Sequence, residues 1–116
     1  MQTEPIVIVG MARTPMGGLS GSLKEASAAQ LGATAIKGAL ARAQVDPQAV
    51  EEVLMGCVLQ AGQGQAPARQ AALGAGLTDH TDCTTLNKMC GSGMKALMVA
   101  HDLLLSGSRT MVVAGG

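Results

Sequence analysis

An α/β domain is what this sequence predicts, and three observations predict it. Short runs rich in Val, Ile, Thr and Leu recur at residues 6–9, 53–59, 81–86 and 110–114, as strands do. Between them, Ser27, Pro67 and Gly91 open stretches with helix-start signals or helical periodicity. The resulting order, β-α-β-α-β-α-β, implies a parallel or mixed sheet with helices on its faces.

Residues 6–9, Ile-Val-Ile-Val, are an unbroken β-branched run, the mark of a strand covered on both faces. Pro15, Gly17, Gly18 and Gly21 make residues 13–26 a loop. Gly17-Gly18 lacks the Gly-x-Gly-x-x-Gly spacing of a phosphate cradle and reads as a turn. Ser27 caps the first helix, with Gln30 as its capping-box partner. Leu31, Ala35, Ile36, Ala39, Leu40 and Ala43 give that helix one apolar face, and Gln30, Thr34, Lys37 and Gln44 an opposing polar stripe, so it lies on the surface. Asp46-Pro47 starts a single turn, and the strand 53–59 follows.

Cys57 falls inside that strand, where a buried small side chain without a catalytic role is expected. Gly62 and Gly64 break the strand, Pro67 starts a second helix through about Leu73, and Gly74 and Gly76 end it. After the strand 81–86, the helix 91–106 is apolar on nearly every face apart from Lys95, His101 and Asp102. A helix of that kind is buried all round. It should be sandwiched between sheets in a complete fold and only half covered by these residues alone. Gly107 ends it before the last strand.

Composition excludes several functions. The chain has 116 residues, 47% of them hydrophobic, enough for one globular domain. Eight basic and eight acidic residues cancel, and without a basic cluster neither nucleic acid nor an anionic membrane is an expected partner. No Trp, Tyr or Phe is present to stack on bases. Three cysteines without Cys-x-x-Cys spacing argue against a disulfide framework or a metal site and suit a reducing compartment. The opening Met-Gln-Thr-Glu-Pro lacks the basic region of a signal peptide, and no apolar stretch approaches the ~20 residues of a membrane helix. The expectation is a cytoplasmic protein with a small-molecule or protein partner.

Cys90 is the candidate nucleophile, because the pattern sets it between a strand and a helix. A free thiol is only a few per cent thiolate at neutral pH, and helix-terminal N–H groups and the helix dipole favour the anion there. Gly91 and Gly93 leave room for a flat acyl group to approach the backbone. The bland alternative is a buried, inert thiol before a glycine-rich helix start. Neither histidine supplies a base. His101 is eleven residues beyond Cys90, about 16 Å of helical rise, and His80 would have to fold back over its own strand.

Residues Leu86, Asn87, Cys90, Gly91, Ser92, Gly93, Met94, Ala96 and Leu97 together resemble the acyl-enzyme signature of the thiolases. The likeness extends to Val9-Gly10-Met11-Ala12-Arg13-Thr14-Pro15, to the stretch from Met55 to Gly62, and to Val113-Ala114-Gly115-Gly116. It implies the αβαβα layered thiolase fold, with a mixed sheet and a buried helix after the nucleophile. The whole chain, 1–116, corresponds to roughly the first third of such a subunit, a partial N-terminal domain. On that reading it stops before the coenzyme A-binding loop domain and before the second half, which carries the catalytic His and a second Cys.

The resemblance also implies a reaction. Cys90 takes an acyl group from a thioester and passes it to coenzyme A or to an acetyl-CoA carbanion. The nearest branch is that of the acetyl-CoA acetyltransferases, which interconvert acetyl-CoA and acetoacetyl-CoA; the degradative 3-ketoacyl-CoA thiolases are the alternative. Coenzyme A thioesters are substrates, no cofactor is resident, no metal is expected, and no residue is assigned to coenzyme A binding. Full-length thiolases are homodimers or homotetramers. A reading of another class is a catalytically silent piece that associates with a full-length subunit.

Overall fold

The computed structural model describes residues 3–116; Met1 and Gln2, which open the stretch read as lacking a signal peptide, lie outside the described residues. In chain order it has helix α1 (Ala28–Ala43), a 3₁₀ turn (Pro47–Ala49), strand β1 (Glu52–Gly56), helix α2 (Pro67–Gly74), strand β2 (Asp82–Leu86), helix α3 (Ser92–Ser106) and strand β3 (Val112–Gly115). The strands form one sheet in the order β2-β1-β3, and both pairings are parallel, so the expected mixed sheet is parallel throughout among the described residues.

Local sequence signals account for the helix boundaries. The Ser27 hydroxyl accepts from Gln30 N at 3.1 Å and the Gln30 side chain accepts from Ser27 N at 2.8 Å, a complete capping box. Asp46 caps the 3₁₀ turn by accepting from Gln48 N at 2.9 Å, with Pro47 at its first position. Helix α2 has no such side chain: its cap, Ala66, sits at φ 51°. The hydroxyl of Thr85 on β2 takes over, accepting from Ala68 N at 2.9 Å.

The core lies on both faces of the sheet. On one, Ile36 and Leu40 of α1 and Ala71 and Ala72 of α2 pack with Val53. On the other, Ala96 and Ala100 of α3 pack with Leu54. These are α, β and α layers, and alternate residues of β1 supply the two sides. Small residues let α1 and α2 approach closely, since a Cβ on Gly32 would lie 3.0 Å from Ala71 Cβ and one on Gly74 3.1 Å from Ala33 Cβ.

Three expectations need correction. Residues 6–9 are not a strand, and Val7, Ile8 and Val9 are 64%, 67% and 57% exposed. A β-branched run needs a ladder partner, and instead the chain just beyond it docks on α1. A Cβ on Gly10 would lie 2.7 Å from Ala39 O, and Arg42 Nη1 donates to Met11 O at 2.7 Å. Strand β1 ends at Gly56, so Cys57 stands just past it and is half-buried, its N–H donating to Leu86 O at 2.9 Å. The last strand runs over Val112–Gly115 instead of 110–114, because Glu51 takes the N–H groups of Thr110 and Met111. Helix α3 is covered on one face only, as expected of these residues alone, with Met94 73% and Met98 54% exposed.

Candidate active site

The site begins with topology. The chain crosses from β1 to β2 through α2, then from β2 back past β1 to β3 through α3. These crossovers run in opposite directions and their helices lie on opposite faces, as two connections of one hand require. Adjacent strands β1 and β2 therefore send their exits to opposite sides. Ligands of open α/β sheets bind outside the carboxyl ends of the strands, and here that rim includes the gap between the exits of β1 and β2. That gap is bordered by the chain leaving β1 at residues 57 and 58 and by the turn leaving β2 at residues 87–91.

That turn presents Cys90, and two side chains hold it. Asn87 Oδ1 accepts from Met89 N at 2.9 Å, and its Nδ2 donates to Val58 O at 3.3 Å, tying both sides of the gap together. The Ser92 hydroxyl accepts from Lys88 N at 2.9 Å and donates to Met89 O at 2.6 Å. Backbone bonds from Gly91 N to Lys88 O (3.0 Å) and from Ser92 N to Met89 O (3.1 Å) complete the turn. None of these bonds uses the N–H of Cys90. Met89 has φ 50°, a left-handed conformation that costs of order 1–3 kcal/mol in a non-glycine residue and persists where its surroundings over-determine it.

Behind the turn, backbone packs on backbone. A Cβ on Gly56 would fall 2.6 Å from Ser92 Cβ, and one on Gly116 would fall 2.7 Å from Gly56 Cα. A Cβ on Gly93 would meet Gly116 O at 3.3 Å. The ends of β1 and β3 and the start of α3 can therefore touch only where side chains are small or missing, which accounts for Gly93, a residue that the opening turn of a helix does not itself favour. Asn87, Ser92 and Gly56 are the supporting residues that sequence reasoning missed. Asn87 and Ser92 stand in the quoted motif, but nothing in the spacing shows what they bind.

Cys90 is exposed, whereas Cys57 and Cys83 are half-buried. Burial pushes the Cys83 thiol above its ordinary value, against a smaller opposite effect of Arg69. Neither histidine approaches the thiol. His80 lies 3.7 Å from its neighbour Asp79 and His101 3.6 Å from Asp102, and His101 stands nine residues into α3, about 14 Å along its axis. The described residues thus bring no base to Cys90. Among them there is also no group of His, Cys, Asp and Glu able to hold a metal. A small crevice lined by Gly32, Gly56, Cys57 and Ala68 opens on the α1/α2 side of the sheet, away from Cys90.

Known proteins match this arrangement. The family described as thiolase, N-terminal domain, matches residues 6–116. The chain belongs to the thiolase family. Among thiolases, acetyl-CoA acetyltransferase 2 of Arabidopsis thaliana is 58% identical over 111 residues, which are 96% of this chain and 28% of that protein. The mitochondrial acetyl-CoA acetyltransferase of Homo sapiens is 52% identical over 113 residues, 97% of this chain and 26% of the relative. A solved thiolase, Acat5 of Ascaris suum in complex with coenzyme A, superposes with a TM-score of 0.91 at 36% identity, over 92% of this chain and 28% of the other. This thiolase chain spans little more than a quarter of the length of the relatives it matches.

Proposed function

We propose that this chain is the nucleophile-bearing part of an acetyl-CoA acetyltransferase. The observation that carries the reading is the exposed thiol of Cys90 on a clamped turn at the start of α3, in a thiolase whose relatives bear that name. In the synthetic direction, the Cys90 thiolate attacks the carbonyl carbon of acetyl-CoA. The carbon–sulfur bond to coenzyme A breaks, and the departing sulfur takes a proton. The carbanion of a second acetyl-CoA then attacks the acetyl-Cys90 thioester, releasing acetoacetyl-CoA and restoring the thiolate. The reverse sequence is thiolysis.

The Cys90 N–H, unused in the turn, is suited to donate to the oxyanion of each tetrahedral intermediate. The base for the thiol and the group that removes the α-proton are proposed to come from other parts of a longer protein, because His80 and His101 are out of reach. The acyl chemistry resides in the thioesters, so the reading needs no resident cofactor. It includes assembly of the longer protein as a homodimer or homotetramer. It also includes the cytoplasm as compartment, on three free cysteines, although several relatives are named as mitochondrial.

The test has two arms, both following loss of the acetoacetyl enolate absorbance with acetoacetyl-CoA and coenzyme A. The 116-residue chain alone is expected to show no steady turnover, and a longer protein carrying it to turn over and fall to background on Cys90→Ala. Undiminished activity of the longer Cys90→Ala protein would overturn the role of the thiol. Multiple turnover by the chain alone would overturn the assignment of base and acid to residues elsewhere.

A further inference from the structure

From the hydrogen bonds around the turn, we infer that Ser92 and Asn87 are positioning residues for Cys90, holding the left-handed Met89 in the one conformation that presents the thiol at the mouth of the sheet. The inference rests on the reading of Cys90 as nucleophile. Its own evidence is the pattern of restraint. Ser92 is 4% exposed, and its hydroxyl is spent wholly on the two residues before Cys90, accepting from Lys88 N and donating to Met89 O. Asn87 grips the same residue from the other side, its Oδ1 taking Met89 N.

A surface turn with no task has no need of a disfavoured φ fixed by two side chains. Ordinary turns reach positive φ with Gly or Asn, yet here a Met holds it. Gly56 supports the arrangement from behind. Its Cα faces Ser92 Cβ so closely that no side chain fits between them, and the serine is braced against β1. The path is thus continuous from the end of β1, through Ser92, to the residue that precedes the nucleophile. Without the clamp, Met89 would relax toward negative φ and swing the Cys90 thiol away from the N-terminus of α3, where N–H groups and the dipole favour the thiolate.

The test measures pseudo-first-order rates of Cys90 alkylation by limiting iodoacetamide with peptide mapping, each divided by the rate for the same variant unfolded in urea. Cys83, half-buried in β2, reports whether the sheet is intact. Ser92→Ala should lower the normalised Cys90 rate about 2- to 10-fold, the worth of one net hydrogen bond, while Cys83 stays protected. Asn87→Ala should act alike. Asn87→Ser, which keeps a neutral acceptor within reach of Met89 N, should recover part of the rate lost in Asn87→Ala, and a loss of general packing would not be rescued that way.

Unchanged Cys90 rates in both alanine variants, with Cys83 protected, would overturn the positioning role. Should Ser92→Ala expose Cys83, the Asn87 pair decides: equal rates for Ala and Ser count against the proposal. If Cys90 is not the fastest of the three thiols in the wild type, the nucleophile reading itself fails, which is a separate result.

Discussion

Three thiols of one chain meet three environments, and reactivity should follow them. The thiolate is the nucleophile, so exposure and a nearby helix N-terminus favour Cys90, whereas burial pushes the Cys83 thiol up and keeps it protonated. Under limiting iodoacetamide near neutral pH, Cys90 should be labelled first and Cys83 after it; peptide mapping reads the order, and earlier labelling of Cys57 or Cys83 would contradict it. Glu51 gives a second prediction at this scale. Its carboxylate is held below its ordinary value first by the Thr110 hydroxyl and then by the N–H groups of Thr110 and Met111. A depressed carboxyl contributes stability in full above the unfolded value of about 4.3, and loses it as the pH falls through the lower folded value. Between about pH 6 and pH 3, Tm should therefore drop further in the wild type than in Glu51→Gln. Parallel drops would show that this carboxylate does not couple folding to protons. At this turn, the placing of Cys90 between a strand and a helix was legible in the local pattern. The roles of Asn87 and Ser92 were not, because both are ordinary turn formers until the backbone at Met89 makes them restraints.

Elements meet here through missing side chains. Gly56 at the end of β1 faces Ser92 at the start of α3 with no room for a methyl group. Gly56→Ala should destabilise the chain by about 1–3 kcal/mol, the usual cost of overpacking. Gly18→Ala, where a Cβ meets nothing within 4 Å, should be neutral or slightly stabilising. Urea titrations of the two variants give the comparison, and equal midpoints would refute the crowding argument. The helices were legible because their signals are local: the Ser27 and Gln30 capping box and the Asp46-Pro47 turn need only neighbours in sequence. Strand 6–9 was misread because strand formation is decided by a partner, and propensity alone names none. Two strand boundaries moved for the same reason, one ending at Gly56 and one delayed to Val112 by the Glu51 side chain.

The whole molecule keeps an apolar surface open. Met94, Leu97 and Met98 share one face of α3, and Val7, Ile8 and Val9 are exposed along the amino-terminal segment. A dye that reports exposed apolar surface should bind the chain strongly, and a monodisperse, dye-silent monomer at tens of micromolar would contradict this. The bare face was legible in the sequence, since a helix apolar on nearly every side needs two covering layers and these residues supply one.

The parallel sheet also has two unlike rims. Cys90 and its clamps stand at the carboxyl ends of the strands. At the amino ends, Arg109 binds Glu52 at 2.8 Å and also Asp82, and the Thr81 hydroxyl donates to Val50 O at 3.1 Å. One rim presents the exposed thiol and the other the fastening, so the chain has a side by which it can be handled. A fluorophore or surface tether attached at exposed His80, beside the fastening rim, would hold the molecule with its thiol facing outward. The same attachment at Val58, on the other rim, would sit against the carbonyl that Asn87 grips.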